Sequence, residues 1–252
     1  MAISEHLHDD GVAELVLEHP PVNAFNIGDL HDLAARLRAV THREEVRAVV
    51  FRSEGRGFCG GGDLKEVQEL SGFEGILGQA SGSYNASLAI AECAVPVVAA
   101  IHNYCIGVGV LLAGAADILV VDEEARFTMA EIDNGATGGA IQASGLMPEK
   151  RLRAAMFTCE PVLARELSGY GTIYRMVPAA DVPAVALEVA SVIATKPPVV
   201  VRRAKESMNQ SIARDIRRQY RIELSYTYEL NLLGEARAAR QTFLDGARDG
   251  YR

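Results

Sequence analysis

The chain has 252 residues, and with 49% of them hydrophobic and 23% charged it can bury a sizeable core, which excludes a disordered or low-complexity protein. Its formal net charge is −8, so it offers no general attraction for a polyanion and no basic stripe for nucleic acid. An anionic ligand must therefore be held by local geometry.

Residues Met1 to Asp10 are polar and lack the basic-then-apolar pattern of a secretory leader. The most apolar stretch, Ala94 to Val121, is interrupted by His102, Asn103 and Asp117 and falls short of the ~20 clean residues of a membrane span. A cytoplasmic protein without membrane association is expected. Cys59, Cys93, Cys105 and Cys159 show no CxxC pairing and no His-Cys spacing of a zinc site, so free thiols and no metal are expected.

Gly11 to Glu18 alternates apolar and polar residues, as a half-buried strand does. HPPVNAFN must be a turn or loop. Asp29 to Val40 places Leu30, Leu33, Leu37 and Val40 on one helical face, and RAVVFRS is a β-branched strand. EGRGFCGGGDLKE is a Gly-rich loop leading into a helix. The Gly- and Ser-rich run SGFEGILGQASGS, within the stretch Glu66 to Ser87, is expected to be mobile, and a helix ends over Leu88 to Glu92. Val97 to Ile101 reads as a buried strand, NYCIGVG as a turn opening a helix over Val108 to Ala116, and ADILVVD as a further strand. RFTMAEIDNGATGG carries a short strand and another Gly-rich loop, and helical patterning runs from Leu146 to Cys159. Thr195-Lys196-Pro197-Pro198 breaks the chain. Helical patterns follow to the end, with a long amphipathic stretch over Ile212 to Leu233 and another over Gly234 to Leu244. The strand-turn-helix rhythm fits an α/β protein; by itself it does not separate a spiral from a doubly wound sheet.

Two segments carry the chemistry: Phe58 to Leu64 (FCGGGDL) and Asn103 to Gly109 (NYCIGVG). Each follows a strand and opens a helix. Glycine permits close ligand approach, and a helix N-terminus presents unpaired N–H groups. Two such ends aimed at one point would make an oxyanion hole. The plainer readings are tight packing or a phosphate loop. Neither turn has the Lys-Ser/Thr of a Walker loop or the full dinucleotide fingerprint.

RGFCGGGDLKE resembles the first oxyanion motif of the crotonase (enoyl-CoA hydratase/isomerase) superfamily, and PVVAAIHNYCIGVGVLLAGAADI resembles the second. ARFTMAEIDNGATGG, HPPVNAFN and RRAKESMN also resemble family segments, in the right order along essentially the whole chain. The resemblance implies a ββα spiral core over residues 1–195, binding acyl-CoA. It implies a helical C-terminal trimerisation region over 196–252, homotrimers or hexamers, and no cofactor beyond the CoA moiety of the substrate. It places the oxyanion N–H groups at Gly62 and Val108, where Val108 replaces a family glycine, and CoA contacts at Pro21, Val22, Gly60, Gly62, Asp63 and Leu64.

Hydratases of the family carry two catalytic glutamates. The first position is Leu111 here; the second is Glu131. The resemblance makes Glu131 the single acid/base, unless it is a buried structural acid. Strand alternation puts Asp133 on the same face and makes it a candidate second acid lining the pocket. A desolvated Glu131 would have a raised pKa suited to both roles. His102 reads as structural; Tyr84 and Tyr104 could line the acyl pocket or pack. The cations from Arg202 to Lys205 could reach the CoA phosphates or coat a helix.

ECAVPVVAAI, the missing second glutamate, the Glu131/Asp133 pair and YELNLLGEA are similar to a crotonase branch of actinobacterial steroid-ring catabolism, which opens a ring beside a β-oxo-acyl-CoA. The expected reactions are C–C (ring-opening) hydrolysis or double-bond isomerisation. The alternatives are a hydratase with altered acids and a non-catalytic acyl-CoA scaffold. RNA binding, found in some relatives, is disfavoured by the acidic charge.

Overall fold

The polar N-terminal segment contributes a strand that its sequence does not announce. β1 (Ile3–Leu7) buries only Ile3 and pairs antiparallel with β2 (Val12–Leu17), so it forms the sheet edge, where no alternating pattern is needed. The computed structural model describes residues 2–212 and 215–246.

The expected helix and strand follow as α1 (Ile27–Ala39), capped by the Asn26 side chain on the Asp29 N–H, and β3 (Ala48–Ser53), parallel to β2. After α2 (Leu64–Glu69), the Gly- and Ser-rich run forms α3 (Glu74–Ala91), a helix of 18 residues rather than a loop. Its glycines are contact points. A Cβ at Gly75 would meet the Val67 carbonyl oxygen at 2.3 Å, at Gly78 the Ile27 side chain at 2.5 Å, and at Gly82 the Leu30 side chain at 2.9 Å. The glycines lower helix propensity, and close packing against α1 and α2 outweighs that.

Next come β4 (Val97–Ile101), β5 (Tyr104–Ile106) and α4 (Val108–Ala115), then β6 (Ile118–Asp122) and β7 (Arg126–Thr128). Each pass delivers one strand to each of two sheets. β4 and β6 enter a six-stranded sheet ordered β1-β2-β3-β4-β6-β9, where β9 is Arg175–Val177; β5 and β7 enter a three-stranded sheet ordered β5-β7-β8, where β8 is Val162–Leu163. This is the ββα spiral expected from the resemblance. The remaining elements are α5 (Ala140–Ala143), α6 (Glu149–Thr158), β8 (Val162–Leu163), α7 (Ala164–Gly169), β9 (Arg175–Val177), α8 (Val182–Ala194), α9 (Pro198–Ser211), α10 (Ile216–Leu232) and α11 (Glu235–Leu244).

The central strands are covered on both faces, which explains their unbroken apolar runs. In β4, Val97, Ala99 and Ile101 face the main core, while Val98 and Ala100 face a second core closed by Val182, Ala186 and Ala190 of α8. Lys205 of α9 is 2% exposed; it pairs with Asp117 at 2.6 Å and donates to the Ile90 and Val95 carbonyls, clamping the C-terminal helices to the core. The helical region expected over 196–252 opens with α9, and its long amphipathic stretch, expected over Ile212 to Leu233, forms α10 from Ile216; residues 213, 214 and 247–252 lie outside the described residues. α10 packs on α3 and α5, and α11 on α2.

Candidate active site

The first Gly-rich turn leaves β3 and is pinned from both sides. The Phe25 N–H donates to the Gly61 carbonyl and the Asp63 N–H to the Phe25 carbonyl, each at 2.8 Å. The Gly62 N–H between them donates to no backbone carbonyl among the described residues. Gly61 has φ +104°, a conformation that favours glycine. Asp63 caps α2, accepting from the Lys65 and Glu66 N–H groups.

The second turn is tied to the first. Cys59 and Cys105 form a parallel bridge, and the Ile106 N–H donates to the Cys59 carbonyl at 2.9 Å. Gly107 has φ +50°, and its N–H donates to the Thr128 carbonyl of β7 at 2.9 Å. Val108 follows as the first residue of α4, so its N–H lies outside the intrahelical ladder. Behind the turn there is no spare room: a Cβ at Gly109 would stand 2.8 Å from the Cys59 Cβ.

Both turns open into one cavity of about 460 Å³, within the range of small-molecule sites. Pro21, Val22, Gly60, Gly62, Asp63 and Leu64 all line it, as do Val108, Leu111 and Glu131. Sequence reasoning thus identifies residues that the fold brings together from four separate segments.

Glu131 lies just beyond β7, at the start of a 3₁₀ turn over Ile132–Asn134. Its backbone carbonyl accepts from the Asn134 and Ala136 N–H groups, which fixes the entry to that turn. Its Oε2 is buried with no hydrogen-bond partner among the described residues. Burial pushes the Glu131 carboxyl up to about 8, with the neighbouring Glu223 charge adding to the rise. The position that holds a glutamate in hydratases, Leu111, is 3% exposed and packs with Ala80, Ile141, Tyr220 and Leu224. At this position the cavity wall is therefore apolar and supplies no second glutamate.

Asp133 does not line the cavity with Glu131. The segment coils as a 3₁₀ turn instead of extending as a strand, so alternation fails, and Asp133 lies by Cys159 and outside the cavity lining. Tyr84 and Tyr104 do not line the cavity either. Tyr84 stacks on Tyr220 at 6.2 Å between centroids, and the Tyr104 ring fills the space a Gly57 side chain would need. His102 bonds the Gly55 carbonyl. Arg202 donates to the Arg43 and Val46 carbonyls, and Lys205 is the buried clamp, so neither reaches the cavity.

The C-terminal helices supply wall residues that no motif marked: Tyr220 and Leu224 of α10, and Arg240, Phe243 and Leu244 of α11. Tyr220 and Leu224 follow helical spacing on the amphipathic stretch, which was the available signal. Glu223, missed by sequence, accepts from the N–H groups of Gly139 (2.7 Å), Ala140 (3.1 Å) and Ile141 (2.9 Å), fixing the loop behind Leu111.

The model of the family described as enoyl-CoA hydratase/isomerase matches residues 8–248. A hydrolase from Mycobacterium tuberculosis, named for (7aS)-7a-methyl-1,5-dioxo-2,3,5,6,7,7a-hexahydro-1H-indene-carboxyl-CoA, is 37% identical over 97% of this chain and 99% of its own. Its namesake from Rhodococcus jostii is 35% identical over 97% and 95%. The crystal structure of an enoyl-CoA hydratase from Mycobacterium avium subsp. paratuberculosis superposes with a TM-score of 0.85 at 21% identity, covering 97% of this chain and 96% of that one, a likeness of fold. With its turns, cavity and sequence in agreement, the chain belongs to the enoyl-CoA hydratase/isomerase, or crotonase, family of enzymes.

Proposed function

We propose that this enzyme hydrolyses a carbon–carbon bond of a cyclic β-oxo-acyl-CoA, with Glu131 as its one acid/base and the Gly62 and Val108 N–H groups as its oxyanion hole. The observation that carries the reading is the Glu131 carboxyl, whose Oε2 is buried without a partner among the described residues, in a cavity lined by both turns and by the apolar Leu111. The two hydrolases at 37% and 35% identity act, by their names, on an indene-carboxyl-CoA, which supports this class.

In the proposed mechanism, the CoA portion lies along Pro21, Val22, Gly60, Asp63 and Leu64, and the thioester oxygen accepts from Gly62 and Val108. The Glu131 carboxylate takes a proton from water as the water oxygen bonds to the ring ketone carbon. The adjacent C–C bond then breaks and its electron pair passes to the thioester α carbon, giving an enolate held by the two N–H groups. Glu131 returns its proton to the α carbon. Water has been added across one bond, with no change of oxidation state overall. A carboxyl with pKa about 8 suits both halves of this cycle near neutral pH.

Adding water to a 2-enoyl-CoA normally engages two carboxylates in this family, and Leu111 supplies none. Double-bond isomerisation needs one proton shuttle and is the other arm of the test. Wild type and Glu131→Gln are incubated with a 2-enoyl-CoA, a 3-enoyl-CoA and a cyclic β-oxo-acyl-CoA, and products are read by mass spectrometry. Glu131-dependent ring opening is expected. Conversion of only the 3-enoyl substrate would replace hydrolysis by isomerisation.

We further propose that the enzyme is a cytoplasmic homotrimer or hexamer. Exposed Val199, Val200, Ile212, Leu232 and Leu233 on the C-terminal helices supply apolar surface for subunit contact, and no single described helix is long and apolar enough to cross a membrane. Light scattering after size exclusion gives the subunit count; a monomer would overturn the assembly.

A further inference from the structure

Arg240 of α11 is 6% exposed and lines the same cavity as Glu131. Its known hydrogen bonds go to neutral amide oxygens: Nε donates to Gln68 Oε1 at 3.2 Å and Nη2 to Asn231 Oδ1 at 2.9 Å. Those two bonds fix the plane of the guanidinium. Among the described residues, Nη1 has no partner and no carboxylate is within ion-pair distance. Burial and the neighbouring Arg237 charge both disfavour the cation.

The comparison with Lys205 is informative. Both cations are buried, but Lys205 is neutralised by Asp117 at 2.6 Å and lies away from the cavity. A buried charge without an opposite charge is costly, and the structure retains one where a ligand enters. The planar fork of arginine suits a carboxylate, and its strongest bonds are made to one.

We propose that Arg240 is the anchor of a carboxylate subsite within the acyl pocket, engaging a carboxylate carried by the acyl chain. The proposal rests on the hydrolytic reading for the origin of that group. When the ring ketone carbon gains the water oxygen and loses its bond to the α carbon, it becomes a carboxylic acid that releases its proton to solvent near neutral pH. The product is an acyl-CoA with a tethered carboxylate that the cyclic substrate lacks. Arg240 therefore favours the ring-opened form and draws the new anion away from the thioester enolate, which limits reclosure.

The test is binding without turnover. Suberoyl-CoA, octanoyl-CoA and free CoA are titrated calorimetrically into wild type, Arg240→Met and Arg240→Lys, with thermal melts as the check on folding. Wild type is expected to bind suberoyl-CoA at least about tenfold tighter than octanoyl-CoA, the worth of a charge-assisted hydrogen bond. Arg240→Met abolishes that preference and leaves octanoyl-CoA and CoA affinities within about twofold, while Arg240→Lys keeps part of it. No preference in wild type overturns the proposal whether or not a variant folds. Equal weakening of all three ligands by Arg240→Met also overturns it, placing Arg240 on a CoA phosphate. Because no turnover is needed, loss of the hydrolytic reading would leave the wild-type preference standing, and loss of the subsite would leave Glu131-dependent ring opening standing.

Discussion

A Cβ placed on Gly107 would lie 3.6 Å from Oε1 of Glu131. The carboxyl thus stands directly against the turn that leads to the Val108 N–H. The Gly107 N–H holds that turn to β7, the strand immediately preceding Glu131. Acid/base group and oxyanion turn are fixed to one strand, so their spacing is a property of the fold and not of a mobile loop.

This proximity shapes the pH dependence of the reaction. The proton-accepting form of Glu131 is the carboxylate, and its pKa is raised to about 8 by burial and by Glu223. kcat/KM should rise with pH and level off above about 8. Glu131→Gln should lose that inflection and about 10²–10⁴-fold in rate. Retention of the inflection in the variant would assign it to another group.

Stability carries the same signature with the opposite sign. Between pH 4.5, the ordinary value, and about 8, the folded protein binds a proton on Glu131 that the unfolded chain has released. Stability from this group is complete below 4.5 and is lost as pH rises through 8. Glu131→Gln has no such proton to lose. The melting temperature of the variant should therefore gain on wild type between pH 5 and pH 9, and a constant difference would show that the carboxyl is not buried in solution.

Gly62→Ala tests the first turn. Its Cβ would meet Gln79 Nε2 at 2.3 Å, so the turn or that side chain must shift. A displaced Gly62 N–H should lower kcat by about 10²–10³-fold, as loss of an oxyanion donor does, with acyl-CoA still bound. An unchanged kcat would remove Gly62 from the oxyanion hole.

Glu223→Ala leaves three N–H groups of residues 139–141 without their carboxylate. A loss of about 2–3 kcal/mol in chemical denaturation is expected, with faster amide exchange confined first to that loop. Unchanged exchange there would mean that the cap forms no part of the loop's stability.

The central strands β3, β4 and β6 were legible because both faces are buried, so their β-branched runs stand out even at five or six residues. The meeting of Gly62, Val108 and Glu131 at one cavity was legible through ordered motifs. Asp133 was misplaced because a 3₁₀ turn and a short strand cannot be told apart over a few residues. α3 was obscured by glycines whose purpose, close contact with Ile27, Leu30 and Val67, depends on distant segments. Arg240 and Glu223 gave no local signal, since their roles arise from where α10 and α11 return to the core.

The central claim is that water enters the acyl portion by C–C cleavage while the thioester survives. It is tested most directly by turning over a cyclic β-oxo-acyl-CoA in heavy-oxygen water and locating the label by mass spectrometry. One labelled oxygen in a new carboxylate, with the CoA thioester intact and product formation slowed about 10²–10⁴-fold in Glu131→Gln, is the predicted result. Release of free CoA with the label on the thioester carbon, or an unlabelled product, would contradict it.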